Sequence, residues 1–393
     1  MATIAGAPPK VRPWNDPFWR GLAYQVALAV VVGVLIVGAI LNARANMQAR
    51  GIPTGFGFWD DPARFDINQT LIPYSATSPN SRVFWVGLLN TLVVAGVGLV
   101  FATMLGFALG VARLSRNWLI AKIATVYIEA VRNVPLLVQL LFWYNAVLKP
   151  LPNPRQSIAL FDLAFLNNRG LFLPAPVPKE GFVALPLALG LGVALAAAFA
   201  WWARLRQRET GAQAPVGAVS AALIVGLPVA AHILAGAPLA FDMPQLKGFN
   251  FAGGFRLTPE LVALTVGLVT YTAAFIAEIV RAGVMSVPKG QHEAAAALGL
   301  RAAPIRKLVT MPQAMRVIIP PLINQYLNLT KNSTLAVAIG YPDLFNVFAG
   351  TVLNNTGAAV QIMFMTMGVY LAFSLATSAI MNAYNARMAL KER

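Results

Sequence analysis

Residues 271–312 read YTAAFIAEIVRAGVMSVPKGQHEAAAALGLRAAPIRKLVTMP. The first half ends an apolar run that can span a membrane, whereas the part from Gln291 onward is rich in alanine and carries basic residues and one glycine, Gly299. This polar part is too short to form a domain and too polar to cross a bilayer. It therefore predicts a short helix outside the membrane, placed between two spanning helices.

The composition of the whole chain agrees with a membrane protein. Of 393 residues, 58% are hydrophobic and 11% are charged, whereas an ordinary globular chain is about one quarter charged. Apolar runs of about 20 residues recur, and each can cross roughly 30 Å of hydrocarbon. We predict an all-α, polytopic integral membrane protein in the lipid bilayer. The eight predicted spans are 21–41, 86–111, 123–147, 183–203, 216–237, 258–281, 315–340 and 359–384.

The net charge of +16 arises from 30 Lys and Arg residues against 14 Asp and Glu residues. Such a basic chain can bind nucleic acid, but here the basic residues are scattered in short loops beside apolar runs. In that position they orient helices, because cytoplasmic loops of membrane proteins are enriched in Lys and Arg. We predict no nucleic-acid partner, and we place both termini in the cytoplasm because this orientation puts most basic residues inside.

The sequence lacks the motifs of an enzyme. It has no cysteine, so disulfides, thiolate metal sites and catalytic thiols are excluded. It has no Gly-Lys pair and hence no Walker-type phosphate loop. His292 and Glu293 begin like a zinc-protease motif, but Ala296 stands where the second histidine would be. We predict no catalytic residue, no metal site and no directly bound cofactor.

The polar segment has a specific order of residues. It reads Glu-Ala-Ala, three residues, Gly, nine residues, Val, one residue and Met-Pro, carried by Glu293, Ala294, Ala295, Gly299, Val309, Met311 and Pro312. This order resembles the cytoplasmic signature of the membrane subunits of ABC importers, which have Ile and Leu where this chain has Val309 and Met311. The resemblance implies that the segment, with Gly290, is where ATPase subunits dock. A linker without a partner is the alternative.

The residues of this segment also predict its shape. Pro288 can open a helix, and Gly299 can close it in a left-handed conformation. We expect Glu293 near the positive end of this helix, where a carboxylate contributes about 0.3 to 1 kcal/mol. Alanine has a minimal side chain, so a partner's cleft can close on the backbone.

The resemblance extends to other stretches: GLLNTL from Gly87, YIEAVRNVPLLVQLLFWYN from Tyr127 and LTKNSTLAVAIG from Leu329. They are similar to the polar amino-acid permease branch of the ABC importers, and the long chain is most similar to the general L-amino-acid permeases. That family has a core of five spans, so spans one, four and five are additions. Two tetrapeptides depart from the family pattern, at 132–135 and 331–334, which leaves the substrate preference open.

The predicted spans and the resemblance divide the chain into four parts. Residues 1–84 form a cytoplasmic tail, an extra span and a periplasmic loop, and 85–148 begin the permease core. Residues 149–255 hold a periplasmic loop and two extra spans. Residues 256–393 complete the core and contain the coupling loop, 282–314.

Two pairs of charged residues are predicted to lie within the membrane. Glu129 and Arg132 are three residues apart on one helix face, as are Glu278 and Arg281. Burying an ion in lipid costs at least about 2.5 kcal/mol, so each charge needs a partner. We expect the pairs to meet between helices, either as a fixed structural link or as an inner gate.

A substrate path is predicted from the remaining polar residues of the spans. Pro135 frees the carbonyl of Val131 and kinks span three beside Gln139, and broken helices of this kind face the solute in transporters. An ammonium can meet a substrate carboxylate, and amides or hydroxyls can bind either end of a zwitterion. The candidate path residues are Pro135, Gln139, Tyr271, Lys331, Asn332, Ser333 and Thr334.

The resemblance implies the partners as well. It implies a subunit in the bacterial inner membrane that moves L-amino acids into the cytoplasm. A periplasmic binding protein would deliver the amino acid, a second permease subunit would complete the pore, and two ATPase subunits would bind ATP and Mg. One alternative is a secondary transporter with ion sites at Glu129 and Glu278, and another is a membrane scaffold without transport.

Overall fold

The computed structural model describes residues 17–53 and 55–388, which are mostly helical. The predicted cytoplasmic tail therefore lies largely outside the described residues. The α-helices are α1 Pro17–Ala49, α2 Asn80–Arg113, α3 Trp118–Asn133, α4 Leu136–Leu141, α5 Ala184–Thr210, α6 Val216–Leu234, α7 Pro259–Met285, α8 Lys289–Ala297, α9 Ala302–Pro304, α10 Met311–Asn332, α11 Leu353–Thr356 and α12 Ala359–Met388. The π-helical segments are Phe142–Leu148, Ile305–Thr310 and Phe345–Val352, and the 3₁₀ segments are Gly57–Trp59, Pro154–Gln156 and Ser333–Ile339.

Six helices in the described part of the chain are long and apolar enough to span a membrane: α1, α2, α5, α6, α7 and α12. Residues 118–148 make a seventh if the bent pair of α3 and the helix from Leu136 counts as one span. The predicted span 315–340 falls on α10, which carries polar residues such as Arg316 and Gln325 and is not in this group. The fold class is confirmed, whereas the number of eight spans is not.

The core is a close contact between α2 and α7. Gly106 and Gly110 of α2 face α7, because an added Cβ would lie 2.6 Å from Ile276 Cβ and 2.8 Å from the Ala277 carbonyl oxygen. Nearer the end of α7, Gly283 lies directly against Ile318 of α10. Small residues at this spacing let helices approach closely. The glycines of α2 therefore bring it close to α7, as their spacing predicts.

The inserted helices α5 and α6 form a hairpin. Gly192 lets them meet, because an added Cβ would lie 2.6 Å from the Leu223 carbonyl oxygen. Most of their large apolar side chains are exposed, including Leu187, Trp201 and Val225. In a bilayer these faces contact lipid, so the hairpin's apolar composition reflects its surroundings.

A β-layer covers the end of the bundle where α7 begins. Four strands pair antiparallel in the order β1 Ile158–Leu160, β2 Ala164–Asn167, β3 Gly170–Leu173 and β8 Phe255–Leu257. Two ribbons join β4 Ala175–Pro178 to β5 Leu239–Asp242, and β6 Gln245–Lys247 to β7 Asn250–Ala252. The sequence predicts non-helical loops here, but the strands were not predicted. Two of their pairings, β3 with β8 and β4 with β5, join residues on opposite sides of the hairpin.

The turn at 340–344 is hydrogen-bonded to the first third of α2. Asn90 donates from Nδ2 to the Pro342 carbonyl at 2.9 Å and to the Gln69 carbonyl at 2.8 Å. The Leu344 amide donates to Thr91 Oγ1 at 3.0 Å. Asn90 and Thr91 are both buried. The Asn-Thr pair of the GLLNTL stretch therefore connects an extramembrane loop, α2 and this turn.

Asp343 in this turn is fully buried, with Oδ1 accepting from the Asn346 amide at 2.8 Å. Burial raises the pKa of Asp343 from 3.8 to about 7. The folded protein then binds more protons than the unfolded chain between these values, so this carboxyl makes stability fall as pH rises toward 7. Asp343→Asn, neutral at every pH, is expected to melt above wild type at pH 8 and to approach it at pH 5.

Thermal melting in detergent at pH 5 and pH 8 checks this expectation. The exposed Asp60→Asn provides the control for loss of one carboxylate. A gap between Asp343→Asn and wild type that does not grow with pH would show that Asp343 stays ionised in the folded protein.

Candidate functional site

The segment between α7 and α10 forms the surface helix that the sequence predicts. Pro288 is the N-cap residue of α8, with an extended ψ of 140°. At the other end Gly299 has φ +77°. Its amide donates to the Ala296 carbonyl at 2.9 Å and that of Leu300 to the Ala295 carbonyl at 3.3 Å. These two bonds form a Schellman motif, so α8 has a defined end.

Glu293 does not lie near the positive end of α8, contrary to the sequence-based expectation. The helix begins at Lys289, as the position of Pro288 predicts, and Glu293 is the fifth of its nine residues, beyond the first turn. The helix dipole acts only within the first turn. Glu293 is exposed and takes part in none of the salt bridges found among the described residues. Its carboxylate is therefore available to a partner.

Two side-chain contacts hold α8 against the beginning of α10. His292 Nε2 lies 2.9 Å from Thr310 Oγ1, and Gln313 Nε2 donates to Gln291 Oε1 at 3.3 Å. Sequence reasoning missed the role of His292, because it was weighed only as a zinc ligand. A polar residue eighteen positions away gives no local signal for such a contact.

The base of the segment is built into the helical core. Val287 precedes α8, and Ala314 lies in the first turn of α10; both are buried in one apolar cluster with Ile276 and Ile318. Ala295, on the inner side of α8, is 5% exposed. The α8 segment is thus joined to α7 and α10 through packed side chains.

The outer side of α8 is open. Ala294 is exposed, and Leu298 after the helix is 83% exposed. An added Cβ on Gly290 or Gly299 would meet nothing within 4 Å. The other signature residues stand at the start of α10: Val309 lies in the π-helical segment before it, and Met311 and Pro312 open the helix. α8 therefore presents a smooth surface with one apolar side chain at its end.

A second cluster lies where α2 ends, between Glu129 of α3 and Glu278 of α7. Arg113, the last residue of α2, pairs with Glu278 of α7 and lies 3.8 Å from Glu129 of α3. Arg281 pairs with Glu278 on the same helix, three residues away. Arg113 is 18% exposed and Glu278 26% exposed, so these charges are largely shielded by each other.

This cluster corrects the predicted pairing between the two charged pairs. The expected link from Arg132 to α7 is a cation–π contact instead: its guanidinium lies 5.2 Å from the centre of the Phe275 ring. The ionic link between helices comes from Arg113, which sequence reasoning did not select. Arg113 follows a spanning run and was counted as a loop charge, whereas the parallel packing of α2 on α7 brings it to Glu278.

Residues 98–390 match the model of a family described as "Binding-protein-dependent transport system inner membrane component". The chain belongs to this family. The match spans the α8 segment, so the permease has that surface helix within its family domain.

Full-length relatives of this permease are known. It is 51% identical over 392 residues to the "Putative amino-acid ABC transporter permease protein YhdX" of Escherichia coli, covering 100% of this chain and 98% of the relative. It is 47% identical over 378 residues to the "General L-amino acid transport system permease protein AapQ" of Rhizobium johnstonii, covering 96% and 94%. The resemblance to ABC permeases is thereby confirmed, and the protein is a multi-pass component of the inner membrane.

The break in the third predicted span of the permease has a structural cause. α3 ends at Asn133, and the chain bends by 104° before continuing from Leu136. Pro135 cannot donate a backbone hydrogen bond, and the side chain of Gln139 replaces it, donating to the carbonyls of Val131 at 2.8 Å and Val134 at 2.9 Å. Gln139 thus stabilises the bend, so its amide nitrogen is already occupied.

Gln139 also lines a cavity of about 390 Å³ beside this bend. Tyr127, Trp143 and Thr270 belong to the same cavity, and Tyr127 donates to the Thr270 carbonyl at 3.0 Å. Tyr271, the neighbour of Thr270, is packed against Phe275 with ring centres 4.9 Å apart and is not among the lining residues.

The other candidate path residues lie where α10 ends. Lys331 is exposed in the last turn, and α10 gives way to a 3₁₀ segment at Ser333. Ser333 is buried and donates to the Thr330 carbonyl, while Thr334 donates to the Lys331 carbonyl at 2.8 Å. Asn332 is half-buried. Within this chain these four residues do not share the cavity of Gln139, so a common path stays a prediction.

Proposed function

We propose that this permease subunit moves L-amino acids into the cytoplasm with broad specificity, driven by ATP hydrolysis on partner subunits. The observation that carries the proposal is the capped, exposed helix α8 whose base is packed into the core. The printed names of YhdX and AapQ, both amino-acid permeases, support the substrate class. The general L-amino-acid name of AapQ supports the broad specificity.

The partners follow from this proposal. Two ATPase subunits, which would bind ATP and Mg, dock on the cytoplasmic face, one of them on α8 through Glu293, the alanines and Leu298. A second permease subunit completes the pore, and a periplasmic binding protein delivers the amino acid to the β-layer end. Both termini are then cytoplasmic. Rigid-body movement of α7 and α10 against α2 would change which side of the pore is open.

The ion cluster serves in this proposal as a fixed link near the inner end. Glu278 has arginine partners on both α2 and α7. A carboxylate held by two guanidinium groups makes a poor site for a coupling proton or Na⁺. This arrangement speaks against the secondary transporter, which would need a titrating carboxylate.

Reconstitution into proteoliposomes tests the proposed function. Uptake of labelled glutamate, lysine and leucine is measured with the permease alone under a Na⁺ or proton gradient, and again with copurified ATPase, permease and binding-protein partners plus ATP. We expect uptake of all three amino acids only in the second case, and none when ATP is replaced by ADP. Gradient-driven uptake by the chain alone would contradict the proposal.

A further inference from the structure

A large cavity lies beside α8, and His292, Thr310 and Met311 of the coupling segment contribute to its lining. It measures about 910 Å³ and is enclosed by the end of α2, the α2–α3 loop, the start of α3, the end of α7 and the segment 303–311. It therefore stands behind α8, between the coupling segment and the rest of the bundle. None of the residues that line it belongs to the ion cluster of Arg113 and Glu278.

The cavity is basic at its rim. Arg116 comes from the α2–α3 loop, and Arg306 and Lys307 come from the π-helical segment before α10. All three side chains are exposed, and none takes part in the salt bridges found among the described residues. No Asp or Glu lines the cavity. Three cations without a protein anion make this rim complementary to a negatively charged group.

The wall of the cavity is apolar. It is formed mainly by aliphatic side chains such as Val111, Leu114, Ile120, Val284 and Met311. A free phosphate or a nucleotide would leave this wall uncovered, whereas hydrocarbon chains would cover it. The combination of a cationic rim and an aliphatic wall matches a molecule with an anionic head and apolar tails.

The cavity is continuous with a surface that faces the bilayer. Ile120 lines it and is 47% exposed, and the same end of α3 exposes Trp118 at 74% and Ile123 at 62%. Tryptophan is enriched at the level of lipid headgroups. The position of Trp118 beside Arg116 therefore places the rim at headgroup depth and the wall at the depth of acyl chains.

We propose that this cavity binds an anionic glycerophospholipid. The phosphate pairs with Arg116, Arg306 and Lys307, and an acyl chain lies against Val111, Ile120 and Val284. The bound lipid connects the α2–α3 loop to the segment that follows α8. An acidic surface of a partner protein is less suited to this site, because it would leave the aliphatic wall without a cover. The proposal does not depend on which solute the permease moves.

Native mass spectrometry of the full-length chain, delipidated and then titrated with dioleoyl phosphatidylglycerol or dioleoyl phosphatidylcholine, tests this proposal. Wild type is expected to bind phosphatidylglycerol at least about tenfold more tightly than phosphatidylcholine. The triple variant Arg116→Gln, Arg306→Gln, Lys307→Gln is expected to lose that preference. Glycerol 3-phosphate, which has the anionic group without tails, is expected not to compete.

The matched control is Arg204→Gln, Arg206→Gln, Arg208→Gln, which removes the same charge from the exposed end of α5. It is expected to keep the preference of wild type. Equal loss in both triple variants would overturn the proposal, because it would indicate diffuse attraction to the whole basic surface. Equal binding of both lipids by wild type would also overturn it.

Two further measurements keep the result interpretable. Melting temperatures of both triple variants are compared with wild type, and Ile120→Glu probes the apolar wall without removing a cation. Loss of the preference in a folded Ile120→Glu variant supports an acyl chain at this wall. If wild type shows no lipid preference and the triple variant instead loses ATPase subunits on copurification, the site belongs to a protein partner and the proposal fails.

Discussion

Gly106→Val is expected to destabilise the folded permease strongly, whereas Gly96→Val on the same helix is expected to have little effect. At Gly106 an added Cβ would lie 2.6 Å from Ile276 Cβ and 3.0 Å from the Ala273 carbonyl oxygen. Backbone and a β-branched carbon cannot move aside, so α2 must separate from α7. Overpacking of a helix contact costs about 1 to 3 kcal/mol or more, which is a large share of the stability of a typical domain.

Gly96 provides a close control because its Cβ would meet nothing within 4 Å. Both variants carry the same change in helix propensity, so their difference reports the helix contact alone. Fluorescence-detected size exclusion and thermal melting measure this difference in stability. For Gly106→Val we expect a loss of monodisperse protein or a melting temperature lower by about 5 to 10 °C. Identical profiles for the two variants would mean that α2 and α7 do not meet at Gly106.

Gly299→Val is expected to reduce ATP-driven uptake by about tenfold or more while leaving the melting temperature close to that of wild type. The space around Gly299 is open, but its φ of +77° is one that a β-branched residue avoids at a cost of roughly 1 to 2 kcal/mol. The Schellman end of α8 would open, and Leu298 would leave its position. Because α8 is a surface helix, the core of the bundle would be unaffected.

The control for this experiment is Gly190→Val in α5, in equally open space but without a positive φ and outside the docking segment. It is expected to retain ATPase copurification and uptake. Gly299→Asn is expected to lie between the two, since asparagine tolerates the left-handed conformation. Full uptake by Gly299→Val would show that the end of α8 has no part in ATPase docking. It would not contradict the proposed transport of amino acids.

Features determined by neighbouring residues could be predicted from the sequence. The apolar runs must form helices in lipid, because a single segment can cross a bilayer only when its backbone hydrogen bonds are made within that segment. Pro288 and Gly299 set the two ends of α8, and Pro135 interrupts α3, because each acts on the backbone within a few residues of itself. The spacing of Gly106 and Gly110 likewise predicts a close helix contact, because both are small residues on one helix face. It does not identify the partner helix.

Features that depend on distant parts of the chain could not be predicted. Arg113 and Glu278 are 165 positions apart, and Asn90 is 252 positions from Pro342. The strand β3 pairs with β8 across the whole α5–α6 hairpin. Nothing in the local pattern of either partner specifies the other.

The sequence by itself thus determined that this is a helical membrane protein with a capped surface helix outside the bilayer, because length, apolarity and backbone restriction are local properties. The tertiary structure alone decided which charges pair, how far α3 bends, where the β-layer forms and which cations surround the inner cavity. Those features follow from the packing of α2 on α7 and α10, which brings together side chains that are far apart along the chain.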